Sequence, residues 1–362
     1  MGLAHAAEAQ RRGLKVLITD RDSRAVGASV RNFGYCCITA QSGHLLDLAH
    51  VARERWLHFG GLAGFFAVQS GALAVARSAE ELAVLDELSA ERGSGEVRLV
   101  RASEALDLLD DQGGSSQVPP ILGGAVLRDD LRVDPREAVA ALAGWLAAQP
   151  RVSMLWRTSY LGGEGDLART SAGRVRAART IVCVGHDLDY LYPGLADRFG
   201  IERCALQMAR IEAPAGRRIA PAVLTGTSML RYPAFAGTDA AAALRAAVVA
   251  SDPELLEIGA NVMFTQRPDG SIIAGDSHGY GRTTEPFMTE ATTELLLRHV
   301  RQLLGVGEAR VIERWQGVYA SSAQQDYLVT EVAPGVMAVA ITSGVGMTIS
   351  FGVAARTFDA LG

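Results

Sequence analysis

Apolar and polar positions along the chain alternate between two rhythms, one of helices and one of strands. Ala4, Ala7 and Leu14 sit among small residues, Gly13 marks a helix end, and the apolar run KVLITD reads as a buried strand. A polar loop, RDSRAVGASVRNFG, follows, and a second helix is expected over residues 43–58. FFAVQSGALAVAR places a Ser-Gly turn between two apolar runs and predicts a hairpin. SAEELAVLDELSAERG has the helical period, with Ser78 as N-cap and Glu81 as its capping-box partner. DDQGGSSQVPP reads as loop, and Asp134-Pro135 opens a helix in RVDPREAVAALAGWLAAQP. VSMLWRTSY and RTIVCVG predict strands, the second strongly buried, on either side of a polar hairpin.

Beyond Ile201 the strands lengthen. CALQMARIEA alternates, and NVMFTQRPDGSIIAGDS predicts a hairpin around Pro268-Asp269-Gly270. DAAAALRAAVVA reads as a surface helix and TEATTELLLRHVRQLLG as an amphipathic one. The strand GVMAVAITSG and a glycine-marked turn into a last helix, VGMTISFGVAARTFDALG, complete the pattern. The expected fold class is α/β. One α/β domain is assembled from residues 1–60, 131–200 and 311–362. Residues 61–130 and 201–310 form an inserted, mostly antiparallel α+β substrate or cap domain.

Composition narrows the function classes. The 362 residues leave room for two domains, and 49% hydrophobic with 21% charged residues supports a large core. A net charge of -5 without a dense Lys or Arg run argues against nucleic acid as a partner. No apolar stretch reaches membrane-spanning length and no signal-peptide pattern opens the chain, so a membrane partner is not expected and a cytoplasmic location is. Cys36, Cys37, Cys183 and Cys204 show neither metal-ligand nor secreted-disulfide spacing, and the histidines show no HExxH pattern. No metal is expected. A G-x-S-x-G elbow is missing too, so a serine hydrolase has no support.

The opening helix and strand suit one half of a dinucleotide crossover. Gly2 fits the last glycine of a phosphate turn at a helix start, and Asp20 fits an acid that accepts hydrogen bonds from ribose hydroxyls, about 20 residues on. A helix followed by a strand ending in Asp also occurs in many other α/β proteins. In the next loop Ser29, Arg31 and Asn32 read either as hydroxyl, guanidinium and amide donors to a phosphate or as an ordinary polar loop. Ser343, Gly344 and Gly346 stand at a strand-to-helix junction near Met347. That helix start either presents positive partial charge to a ligand or serves close packing alone.

Taken in order, GLAHAAEAQRRGLKVLITDRD, GASVRNFG, RVDPREAVAAL, RTIVCVG, IIAGDSHGYG and TSGVGMTISFG resemble the D-amino-acid oxidase superfamily of FAD-dependent oxidoreductases, alongside glycine and sarcosine oxidases. The likeness spans nearly the whole chain and looks closest to a branch found with phosphonate-catabolism genes. It implies FAD, held covalently or non-covalently by a Rossmann-like domain made of residues 1–60, 131–200 and 311–362. Gly2 would match the phosphate turn, Asp20 with Arg21 the ribose end, and Ser29, Arg31 and Asn32 the pyrophosphate and isoalloxazine. Tyr160 would lie near adenine, Gly185 at a turn after a flavin-side strand, and Gly344, Gly346, Met347 and Thr348 at the flavin N1–C2 edge. Family sequences open with a further strand and two further glycines, so Met1 is expected to be an internal residue of a longer product.

In GDSHGYG, His278 or Tyr280 either reaches a substrate amine or anion, as an imidazole titrating near neutrality suits, or is a satisfied loop residue behind the strand-ending Asp276 and Ser277. Arg231, in MLRYPAF, and Tyr319, in RWQGVYASS, read as an anion clamp and a flavin-side residue, or else as surface groups. The catalytic candidates are therefore His278, Tyr319 and Arg231. The resemblance implies oxidation of a C–H bond next to the amine of a small amino acid or aminophosphonate. The resulting imine hydrolyses to a carbonyl product, and oxygen or another acceptor takes the electrons. An NAD-linked dehydrogenase and a truncated non-catalytic chain unable to hold FAD are the alternatives.

Overall fold

The computed structural model describes residues 1–93, 95–111 and 119–361, so most of the DDQGGSSQVPP loop lies outside the described residues. The first helix, Gly2–Arg11, buries Ala4, Ala6, Ala7 and Ala9. Small side chains let it lie close to the last helix, Gly346–Leu361, where His5 Nε2 meets Thr357 Oγ1 at 3.3 Å. Gly13, at φ 74°, turns the chain into the strand Val16–Thr19, a left-handed conformation that glycine adopts at little cost.

That strand pairs in parallel with Val152–Leu155. A second parallel pair joins Thr180–Val182 to Val336–Ile341, and Tyr327–Ala333 runs antiparallel on its far side. Helices Gly43–Ala63, Pro135–Ala147 and the two already named pack against these pieces in one core. Its centre is aromatic, with Phe59 stacked on Phe351 at 5.4 Å and Trp56 edge-on to Phe351 at 5.0 Å. A Cβ on Gly352 would come within 2.2 Å of Leu48 O, so the Gly43–Ala63 and last helices touch backbone to backbone. This contact fixes where the last helix begins.

Among the described residues the larger sheet has nine strands. Glu202–Ile211 lies between Ile272–Gly275 and Gly279–Gly281 on one edge and Val311–Ser321 on the other, all antiparallel. Met263–Gln266, Ala222–Leu224, Ala72–Ala76, Gly123–Leu127 and Val97–Arg101 continue it. Helix Glu290–Leu304 covers this sheet through Leu296, Leu297, Val300, Leu303 and Leu304, the face its helical period predicts. The fold is thus mixed α/β, with parallel pieces beside a broad antiparallel sheet. Val311–Ser321, grouped by sequence with the last piece of the chain, pairs with Glu202–Ile211 in the antiparallel sheet.

Most local signals survive. Ser78 and Glu81 form the reciprocal capping box of helix Ala79–Glu91, and the Asp134 side chain accepts from Arg136 N at the start of Pro135–Ala147. Met263–Gln266 and Ile272–Gly275 make the expected hairpin. The hairpin expected in FFAVQSGALAVAR does not form. Ala67–Val68 pairs with Leu131–Val133, while Ala72–Ala76 pairs with Gly123–Leu127 and Ala222–Leu224. Gly71, at φ 66° and with its N–H on Asp130 O, hands the chain from one sheet to the other. All five residues of Ala72–Ala76 are buried, so no alternation marks the partner. RTIVCVG likewise shortens to Thr180–Val182, of which only Val182 is fully buried. VSMLWRTSY breaks after Leu155 and resumes at Tyr160 in a separate three-stranded meander.

Candidate active site

One cavity of about 2500 Å³ runs from the first helix to the antiparallel sheet. Val16 and Ile18 of the first strand, Ile181 and Val182 of the second parallel pair, and Leu206 of the larger sheet are among its walls. All fifteen residues singled out from sequence line it: Gly2, Asp20, Arg21, Ser29, Arg31, Asn32, Tyr160, Gly185, Arg231, His278, Tyr319, Gly344, Gly346, Met347 and Thr348. Segments more than 300 residues apart in the chain meet there.

At one end, an Asp20 carboxylate oxygen accepts the Asp22 N–H at 2.9 Å, and burial raises the Asp20 pKa. Its other oxygen is the group left for a hydroxyl partner. Arg21, beside it, ion-pairs with Asp187, which follows Gly185 at φ 61°. Arg21 therefore ties the two turns together and is not free to lead at a ligand. The Tyr160 hydroxyl meets that of Tyr192 at 3.0 Å. In the Ala28–Val30 turn, the Asn32 amide donates to Ala28 O and Ser29 O, and its oxygen accepts Gly34 N. Arg31 donates to Gln316 O. Asn32 thus shapes the loop, and Ser29 is the exposed donor it presents.

The last helix starts at the middle of the cavity. Its first backbone N–H groups have no partner within the helix, as at any helix start, and carry positive partial charge. Two side chains and one backbone N–H from residues 36–56 hold this start in place. Trp56 Nε1 and Cys36 Sγ donate to Met347 O at 2.7 and 3.4 Å, and Thr348 Oγ1 accepts Cys37 N at 3.1 Å. Gly344, at φ 77°, precedes it, and a Cβ there would meet the Tyr319 hydroxyl at 2.8 Å. A Cβ on Gly346 would meet nothing within 4 Å, so space opens in front of the helix.

Beyond that turn lies a polar cluster. Arg231 Nη2 donates to the Tyr319 hydroxyl at 3.1 Å, and Nη1 reaches the Tyr280 hydroxyl at 3.5 Å. Burial pulls the Arg231 pKa down, but Tyr319, Tyr280 and Asp276 more than offset it and the guanidinium stays charged. Burial raises the Tyr319 pKa well above its usual value. His278 is buried, its Nδ1 lies 2.8 Å from Gly259 O, and burial followed by the Arg231 charge holds its pKa well below neutrality. It is a neutral ring, unlike the titrating imidazole expected from sequence.

Asp276 was read as a strand terminator, yet it is 4% exposed and lines the same wall. The GDSHGYG pattern marks it only as one member of a polar cluster. Its burial comes from Asn261, whose backbone pairs with it in both directions at 2.8 and 2.9 Å. Cys37 and Tyr232 also reach the wall, as does Gln41, which no sequence signal marks. Burial raises the Cys37 thiol to about 12, so it is an inert, packed thiol. Among the described residues no cluster of metal-binding side chains occurs, and no helix is long and apolar enough to cross a membrane.

A large flavin nucleotide suits this lining: a helix start at each of Gly2 and Gly346, an acid at Asp20, and open space over Gly346. Known structures share the fold. L-proline dehydrogenase from P. horikoshii superimposes with a TM-score of 0.78 at 16% identity, over 99% of this chain and 90% of that one. Iminodiacetate oxidase from Chelativorans sp. BNC1 gives 0.75 at 17% over 99% and 92%, and glycine oxidase from Geobacillus kaustophilus 0.73 at 17% over 98% and 90%. No curated protein matches by sequence. The family model described as FAD dependent oxidoreductase matches residues 1–360, and the chain belongs to that family.

Proposed function

We propose that this enzyme oxidises the C–H bond next to the amine of a small anionic substrate, an amino acid or an aminophosphonate, with release of a carbonyl product after imine hydrolysis. The observation that carries this reading is the Arg231–Tyr319 pair, set in the cavity wall directly against the Gly344 turn. A guanidinium held by a phenol is a preformed seat for a carboxylate or phosphonate. Glycine oxidase and iminodiacetate oxidase, two proteins of the same fold, act on small amino acids by name.

When bound, FAD supplies the two-electron acceptor for the substrate hydride. The residues of this chain do the rest. Gly2 and the first helix would face the pyrophosphate, Asp20 the ribose hydroxyls, and Ser29 the phosphate side, with Tyr160 and Gly185 bordering the adenosine end. Gly344 to Thr348 would present backbone N–H groups and a positive helix end to the flavin N1–C2 edge, where charge develops on reduction. Arg231, steadied by Tyr319, would hold the substrate anion and so fix which carbon faces the flavin. Residues 1–60, 131–200 and 311–362 serve the cofactor in this reading, and residues 61–130 and 201–310 the substrate. A cytoplasmic setting and the phosphonate branch are parts of the same proposal.

The test is anaerobic bleaching of the flavin-loaded protein. Glycine, sarcosine, N-methyl-2-aminoethylphosphonate and 2-aminoethylphosphonate are each added, and the flavin absorption is followed before oxygen is admitted. Bleaching by at least one of them, with carbonyl product, supports the reading. Reduction only with NADH, and none with any amine, would replace it with a nicotinamide-linked activity.

A further inference from the structure

The Arg231 seat accounts for one end of such a substrate and leaves the amine unprovided for. An anion clamp alone would bind propionate as well as glycine. Asp276 stands in the same wall, buried, and its Oδ1 has no hydrogen-bond partner. An orphaned acceptor of this kind costs free energy unless a proton or a cation reaches the carboxyl group. Oδ2 lies 3.8 Å from His278 Nε2. The neutral His278 ring has its Nδ1 against the Gly259 carbonyl, which can only accept, so Nδ1 carries the proton and Nε2 presents a lone pair to Asp276. His278 therefore offers the second oxygen no donor.

Burial and the lone pair of His278 disfavour a bare carboxylate, and three groups favour it. Burial raises the Asp276 pKa to about 7, against the opposing pull of the Arg231 charge, its own backbone N–H and the Asn261 amide. The groups around it are Arg231 and Tyr232 after the Gly226–Met229 helix, Tyr319 and Cys204 on paired strands, and Tyr280 and His278 beyond its own strand. Arg231 is the one permanent cation in that set. An incoming anion on Arg231 screens the charge that keeps Asp276 ionised, which makes the carboxylate a stronger base once substrate is seated.

We infer that Asp276 is the proton acceptor for the substrate ammonium, completing with Arg231 a site for a zwitterion. This rests on the proposed amine-oxidising function. The ammonium N–H bond breaks and a carboxyl O–H bond forms. The N–H electron pair remains on nitrogen as its lone pair, so the cationic amine and anionic carboxylate become two neutral groups. The amine must be neutral before the adjacent C–H bond can give up hydride, because only a free lone pair can form the C=N bond. Asp276 supplies that state at neutral pH, where a free aliphatic amine is almost wholly protonated.

Proton release on binding tests the assignment independently of turnover. Isothermal calorimetry on the flavin-loaded, anaerobic protein, in buffers of differing ionisation enthalpy, gives the protons released per ligand bound. The probe is whichever of glycine or 2-aminoethylphosphonate binds, with acetate or ethylphosphonate as its desamino control. At pH 6 Asp276 is largely protonated, and Asp276 and the ammonium share one proton when paired, so about one proton leaves. At pH 8 the carboxylate is already bare and close to none leaves. The desamino anion releases none at either pH.

Asp276→Asn, an isosteric change, should flatten this pH dependence. It should weaken the aminated ligand about 10- to 100-fold at pH 8, as expected for loss of a charged hydrogen bond, while the desamino anion changes less than about threefold. The same variant should lose the limb near pH 7 in kcat/KM and titrate instead with the substrate amine, and Asp276→Glu should restore part of the limb. Equal proton release in wild type and Asp276→Asn, with amine still oxidised, would overturn the role of Asp276 and leave the amine-oxidising function standing. Failure of every aminated anion to bind would overturn both together.

Discussion

Gly344→Ala is the sharpest probe of the turn that joins the last helix to the substrate end. The backbone there has φ 77°, and an added Cβ would lie 2.8 Å from the Tyr319 hydroxyl and 3.1 Å from the ring carbon that bears it. A left-handed alanine costs about 1–2 kcal/mol. Pushing a packed ring off its position adds about 1–3 kcal/mol. The sum, about 2–5 kcal/mol, corresponds to a fall in melting temperature on the order of 3–7 °C for a chain of this length. The ring cannot retreat without loosening its 3.1 Å bond to Arg231, so activity should fall with stability. Thermal unfolding followed by circular dichroism measures the first effect, and a double-mutant cycle with Tyr319→Phe apportions it. Removing the hydroxyl takes away the 2.8 Å contact, so the double variant should recover at least about 0.5 kcal/mol relative to additivity. A Gly344→Ala protein that melts within 1 °C of wild type, or a strictly additive cycle, would refute the packing argument.

Other perturbations have equally definite outcomes. Asp130, buried under Tyr35 and Thr39 N, has its pKa raised to about 7 by burial, so the folded state holds a proton that the unfolded chain gives up near 4. Its contribution to stability is greatest below pH 4 and declines as pH rises to 7, by up to about 1.4 kcal/mol per pH unit. Denaturant titrations should therefore show Asp130→Asn gaining on wild type between pH 5 and 7; a constant difference would contradict this. Arg231→Lys should lower kcat/KM for an anionic amine about 10- to 100-fold, mainly through KM, and leave an uncharged amine such as ethylamine nearly unaffected in steady-state assays. Ser78→Ala should cost about 1 kcal/mol in urea unfolding by removing the cap on helix Ala79–Glu91.

The legible parts of this fold were those whose cause is local. A Ser at one position and a Glu three later satisfy the same helix end wherever it packs, and Asp134-Pro135 acts in the same way. The false hairpin at 65–77 shows the opposite case. Its two strands are correctly apolar, but their partners are 50 to 150 residues away, and a fully buried strand carries no alternation to name them. The site divides similarly. Gly344 and Gly346 were visible because a glycine at a strand-to-helix junction has a backbone reason. Arg231 and Tyr319 were visible only as separate candidates, since their contact spans 88 residues. Asp276 was hidden by its own neighbourhood. A short acid after a glycine looks like the end of a strand, and only its pairing with Asn261 turns it into a buried, base-like group.

The position of Glu202–Ile211 between its neighbours also governs how the protein can be made. Its last partner, Val311–Ser321, is synthesised about 100 residues later and carries Tyr319. At roughly 5–20 residues per second, a ribosome leaves that edge open for about 5–20 s. During this interval a long alternating strand, with Cys204, Leu206 and Met208 on its buried face, offers unpaired backbone to any other extended chain. The strand that completes the cavity wall is thus also the one that ends the nascent protein's exposure to mispairing, so slow translation between residues 211 and 311 should reduce soluble yield before it alters a single contact of the finished enzyme.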